Sequence, residues 1–237
     1  MSPLAKINNL FATIEQNDRT AMDASLTDVQ YNLAIGGLLA YGFLINWLLL
    51  QFAALPMLRA VIGMGGMGLV LLVVGYFALT LTGSFLVNSM ETGKAFLGYN
   101  LMVLPVGLVL SLFLLTADVT PDLLQRAFLL TGLITLGMMA VATAKPDWFS
   151  TYPRGLGIAL LVTLVVELLF SLFTHTTLVL FDWVVVVIMS LYVAFDWVRA
   201  NTVKRTLVNA IAVSASLYLD IVNILMRLIR ILGKKDD

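Results

Sequence analysis

The chain contains no cysteine and a single histidine, and only 12% of its 237 residues are charged. Without cysteine there are no disulfides and no thiol chemistry, and the redox compartment stays open. One histidine and no cysteine exclude a histidine-rich zinc hydrolase site. The formal net charge is zero, so nothing points to nucleic acid or to an acidic partner. A soluble domain carries about 25% charged and about 45–50% apolar residues. Here 60% are hydrophobic, which marks an integral membrane protein embedded in the lipid bilayer.

A helical span needs about 20 mostly apolar residues to cross about 30 Å of hydrocarbon. Seven stretches qualify, roughly Asn32–Leu55, Ala60–Thr82, Ala95–Thr116, Leu123–Ala144, Gly155–Phe173, Thr177–Trp197 and Leu207–Leu232. Pro56, Pro121 and the stretch from Pro146 to Pro153 are read as breaks between them, since a missing N–H and a fixed φ suit a turn. The expected fold is an all-α bundle of seven transmembrane helices, residues 32–237. Residues 1–31 form a polar tail in which Glu15, Asp18, Arg19, Asp23 and Asp28 interrupt any apolar core. No signal peptide is expected there, and the first span serves as the targeting signal. Leu4–Ile14 is a candidate interfacial helix.

Orientation follows from Lys and Arg near the helix ends. With the N-terminus inside, Lys6, Arg19, Lys94, Lys145, Arg154, Arg199, Lys204 and Arg205 fall on the inner side. Arg59 and Arg126 fall outside, together with a C-terminal group of Arg227, Arg230, Lys234 and Lys235. The first six spans obey the positive-inside rule, while the seventh violates it if it crosses fully. A re-entrant last segment would obey the rule. Leu207–Leu232 is nevertheless long enough to cross at about 1.5 Å per residue, and seven crossings are preferred.

GMGGMG, residues 63–68, is read as lying inside the second span. It has no adjacent Lys-Ser/Thr and no strand before it, so a phosphate cradle is rejected. Close helix packing through small residues is the expected role.

Charged groups at bilayer depth are costly and mark a function by default. Four carboxylates qualify: Glu167, Asp182, Asp196 and Asp220. Asp182 lies a few residues into the sixth span and is expected near the solvated interface. Glu167 must face the bundle interior or a wet cavity; its alternative is a protonated, purely structural carboxyl. Asp196 and Asp220 lie on consecutive spans joined by the basic stretch VRANTVKRT. They meet if the sixth helix runs past Asp196 to about Val203; otherwise they are two separate carboxylates. Two that share a low-dielectric site cannot both ionise cheaply and titrate as one unit. Such a pair is either a proton-responsive switch or, when both are ionised, an oxygen-rich cation site. Asp220, Asn223, Arg227 and Arg230 line one face of the last helix. Arg227 and Arg230 are expected to snorkel toward the membrane surface.

At SLYVAFD, ending in Asp196, and SLYLDIVNILMRLIRILG, starting at Ser216, the chain resembles the Bax inhibitor family of transmembrane proteins, and its bacterial YetJ-like members in particular. Gly98-Tyr99-Asn100 and AFLLTGLITLG, Ala127–Gly137, add to the likeness. The resemblance covers about Ala95 to Asp237; the first two spans match only in hydrophobicity and position. It implies seven spans with a central C-terminal helix, and a pH-sensitive calcium leak. It also implies that Asp196 and Asp220 form the proton-sharing pair that senses pH and holds Ca²⁺ in passing, with no cofactor. One departure stands out. Those relatives carry an arginine ending the second helix that latches onto the pair, whereas the aligned stretch here is Asn88-Ser89-Met90-Glu91. Lys94 is the nearest base and the candidate latch, although lysine makes no bidentate fork.

The leading expectation is therefore a cation leak, with Glu167, Asn223, Arg227 and Asp182 as accessory or pathway residues. A proton-coupled transporter and a non-conducting regulator acting through protein partners are the alternatives. No enzyme is expected. An intramembrane serine protease needs a buried Ser–His pair, whereas His175 lies in the short loop between the fifth and sixth spans. The seventh span also lacks a lysine before Lys234 for a retinal Schiff base.

Overall fold

A computed structural model describes residues 25–117, 119–149, 153–174 and 178–234. Leu4–Ile14, the candidate interfacial helix, and His175 lie outside the described residues. The described residues contain no strand. The helices are α1 (Asp28–Leu48), α2 (Ala54–Gly63), α3 (Gly66–Val87), α4 (Thr92–Thr116), α5 (Pro121–Ala144), α6 (Pro153–Thr174), α7 (Val179–Thr202) and α8 (Leu207–Gly233). A π turn, Leu49–Ala53, joins α1 to α2, so Asp28–Gly63 is one span. Seven helices are thus long and apolar enough to cross a membrane.

The first boundary differs from the expectation. Pro56 does not end the first span; it sits in the first turn of α2, just after the π turn. A proline lacks an N–H and crowds the carbonyl four residues back. Widening the preceding turn to the π spacing accommodates that defect without ending the helix. The break falls instead at Met64–Gly65, and GMGGMG is the turn between α2 and α3. Gly65 has φ of 57°, a conformation other residues adopt only with strain. A Cβ on Gly63, Gly65 or Gly66 would touch nothing, so these glycines are not packing contacts. Only Gly68 has the expected role: a Cβ there would collide with the Val61 carbonyl.

The remaining boundaries follow local chemistry. Thr27 caps α1 in a reciprocal box with Gln30, and Thr120 caps α5, which opens on Pro121. Both arrangements satisfy N–H groups that a helix start leaves unpaired. Pro146 begins a short 3₁₀ turn, Pro146–Trp148, that closes α5.

The contacts divide into two compact units. The first is Met1–Val109 with Thr202–Ala215. Within it, Asp28 pairs with Arg205 at 3.2 Å, and the Leu26 amide donates to the Arg205 carbonyl. These bonds tie the start of α1 to the connection before α8. Tyr41 donates to Asn100 and Tyr99 to the Leu38 carbonyl, joining α1 to α4. The second unit is Leu110–Asn201 with Ser216–Asp237. There the Trp197 indole donates to Thr143 at 2.9 Å, and Ala142 packs with Ala194 and Val198. Small residues bring α5 and α7 close, as membrane helices without a hydrophobic drive require.

The spans differ sharply in enclosure. In the most apolar stretch of α8, 72% of residues are buried; in that of α6, none are. The C-terminal helix is the enclosed one, as expected. α6 buries no residue of that stretch fully, although Glu167 and several others on one face are half-buried.

Candidate functional site

All the acidic candidates of the sequence lie in the second unit, on α6, α7 and α8. Asp196 lies six residues before the end of α7, and Asp220 lies 13 residues into α8. At about 1.5 Å per residue these are about 9 Å and about 20 Å from the connecting ends. Backbone height alone therefore leaves a gap. Side-chain direction closes it, because helical Cα–Cβ bonds tilt toward the N-terminus. Asp196 leans away from the connection and Asp220 leans back toward it. The two carboxyls face each other within side-chain hydrogen-bonding range.

Both residues are buried, at 6% and 8% exposure. Asp220 Oδ2 has no hydrogen-bond donor among the described residues. Two carboxyl groups can bond only with a proton between them, since an ionised carboxylate accepts and never donates. One proton between the two carboxyls would satisfy such an arrangement. Ser216, one turn before Asp220, hydrogen-bonds Asp196. Tyr192, one turn before Asp196, lies within electrostatic range of both carboxyls. Arg199, one turn beyond, is the cation felt by Asp196.

Sequence reasoning missed Ser216 and Tyr192, although the repeated SLY string held the signal. On α7 the tyrosine of the string stands four residues before the aspartate; on α8 the serine does. The i, i+4 relation puts each on its aspartate's face. Lys94, the candidate latch, belongs to the first unit and pairs with Glu91 at 2.8 Å on an exposed turn.

A second polar cluster overturns two expectations. Asp182 is not solvated at the interface but 2% exposed. Arg227 does not snorkel; it is buried, and its Nη1 donates to Glu167 Oε1 at 2.7 Å and to Asp182 Oδ1 at 2.8 Å. Arg230 adds longer contacts, 3.4 Å to Asp182 and 3.8 Å to Glu167. The reason is compensation: a guanidinium with two carboxylates is better held by charge-assisted bonds than by a long reach to water. Asn223 stays outside this network and donates to the Leu219 carbonyl of its own helix. Burial of Arg227 also removes much of the charge objection to a full seventh crossing, because these arginines are balanced internally.

The two clusters share one seam. Asp220 and Arg227 are a heptad apart on α8, and Asp182 and Asp196 two heptads apart on α7. A heptad drifts only about 20° around a helix, so each pair keeps roughly one face. Buried Val185, Ile188 and Met189 on α7 and Ile224 on α8 fall between the two polar levels.

Seven helices long and apolar enough to span a membrane are what the resemblance implied. The family described as inhibitor of apoptosis-promoting Bax1 matches residues 26–237. The chain belongs to the Bax inhibitor family. The match also takes in the first two spans, where the residues alone carried little likeness. This member of the Bax inhibitor family is an integral membrane protein. Comparison with curated proteins and with solved structures gives no match.

Proposed function

We propose that this chain is a pH-sensitive cation leak, with Ca²⁺ as the passing ion and Asp196 and Asp220 as its gate. The observation that carries the proposal is the buried contact between the two carboxyls. With one proton shared, the contact holds α7 against α8, and this is the shut state. Removing the proton sets two like charges side by side. At about 4 Å and an effective dielectric of about 20 they repel by about 4 kcal/mol. The contact is thus present at low pH and lost as pH rises through the pair's titration, so flux rises with pH.

Once ionised, the pair offers oxygen ligands to a cation. Ca²⁺ takes about 6–8 oxygens, far more than two carboxylates supply, which suits transit better than residence. No cofactor and no catalytic step enter the proposal. The positive-inside count supports a cytoplasmic N-terminus, and the YetJ-like resemblance a bacterial cell membrane.

The test is Ca²⁺ flux into proteoliposomes between about pH 6 and 8, where a coupled carboxyl pair can titrate. Asp220→Asn puts an amide donor where the shared proton sits, so flux is expected to stay low across the range. Asp196→Asn is expected to flatten the profile likewise. Unchanged pH dependence in both variants sinks the proposal. Saturable flux tied to proton uptake would favour a coupled transporter, and no flux at all would favour a regulator.

A further inference from the structure

The network of Glu167, Asp182, Arg227 and Arg230 has no part in proton sharing, yet it spans three helices. Its most informative member is Glu167. α6 buries none of its apolar core stretch, so little packing holds it in place. An edge-to-face contact of Phe170 with Phe181 at 5.9 Å helps. The strong tie is the bond from Arg227 to Glu167 at 2.7 Å. Because the same Nη1 also grips Asp182, one atom of α8 holds α6 and α7 together. Arg227 has 9% of its side chain exposed and Asp182 2%, so water screens this junction little.

We infer that this network is a second lock on the α7–α8 seam, built of ion pairs and clamping α6 against it. The inference rests on the leak proposed above, and it adds a gate in series with the aspartate pair. Two carboxylates face two guanidiniums, so the junction is neutral as it stands. It opens only when α6 leaves, which separates Glu167 from Arg227. The pair at Asp196 and Asp220 sets when the seam loosens; the ion pairs set how far it opens.

The test uses the full chain in proteoliposomes with the double variant Glu167→Gln/Arg227→Gln. Removing an anion and a cation together leaves the summed charge unchanged, so the aspartate pair titrates in a similar field. Flux at the acidic end, where the pair is shut, is expected to rise roughly tenfold, within the usual range of coupling between sites. The midpoint of the pH profile is expected to stay in place.

A second readout does not depend on flux. The chain has no cysteine, so Val186→Cys supplies a single thiol, buried one turn from Asp182. Labelling by a membrane-impermeant thiol reagent is expected to be slow with the network intact and at least several-fold faster in the double variant. Arg227→Lys, which keeps a cation between the acids without the planar fork, is expected to label at an intermediate rate. That variant also serves if the double variant fails to fold. If labelling rises while the wild-type chain passes no ions, the lock stands and the leak reading falls. If wild-type flux is pH-dependent but neither acidic flux nor labelling changes in the variants, the lock is overturned and the leak reading survives.

Discussion

Two levels of one helix seam hold buried charge in opposite ways. At one, Asp196 and Asp220 bring like groups together, an arrangement that favours a proton between them. At the other, Arg227 lies between Glu167 and Asp182, and the contact exists because the charges are opposite. The first arrangement is conditional: its stability depends on a species that solution supplies or withdraws. The second is internally complete. One helix thus sets like and opposite groups at the same heptad position, and under the proposed leak the first acts as a switch and the second as a clamp.

The comparison breaks most visibly at the clamp. Arg227→Ala removes the two short bonds and leaves Glu167 and Asp182 only the longer contacts of the half-exposed Arg230. Removing one partner of a buried ion pair typically costs about 3–5 kcal/mol. A large fall in thermal unfolding temperature in detergent, or loss of membrane-inserted protein, is the expected outcome. At the switch, Asp220→Asn should do the reverse. Its amide donates to Asp196, so the contact no longer needs a proton, and a neutral hydrogen bond contributes about 1 kcal/mol. Thermal stability is expected to be unchanged or slightly raised, and to lose its dependence on pH over the range where flux is measured. A large loss of stability on Asp220→Asn would erase the distinction between the two levels.

How much of this was legible in the sequence depends on which signal each element carried. The spans were plain because about 20 apolar residues in a row have few other uses. Pro56 misled because a proline usually ends a helix, and nothing in the local string announced the π turn that absorbs it. GMGGMG misled for the linked reason: moving the boundary from Pro56 to Gly65 turned a packing motif into a connection. Asp196 and Asp220 were legible as buried carboxylates on consecutive spans, but Ser216 and Tyr192 required the face relation inside the two SLY strings. The clamp was least legible. Arg227 and Arg230 lie near a helix end, where snorkelling is the cheaper habit. Their partners lie 45 and 60 residues away from Arg227, on helices whose rotation no linear pattern fixes.

The smallest expected effect sharpens the comparison from outside it. Lys94 is the base nearest the place where the family's arginine would stand, but its ammonium is taken by Glu91 three residues earlier, with both side chains more than half exposed. A solvated pair of this kind contributes about 0–1 kcal/mol. Lys94→Gln is therefore expected to change stability by about 0.5 kcal/mol or less and to leave the pH profile of flux in place. A shifted profile would make Lys94 the latch after all, and the switch would then depend on a distant cation as well as on a proton. With no shift, the aspartate pair closes on the shared proton and its neighbours Ser216, Tyr192 and Arg199, and the missing arginine needs no substitute.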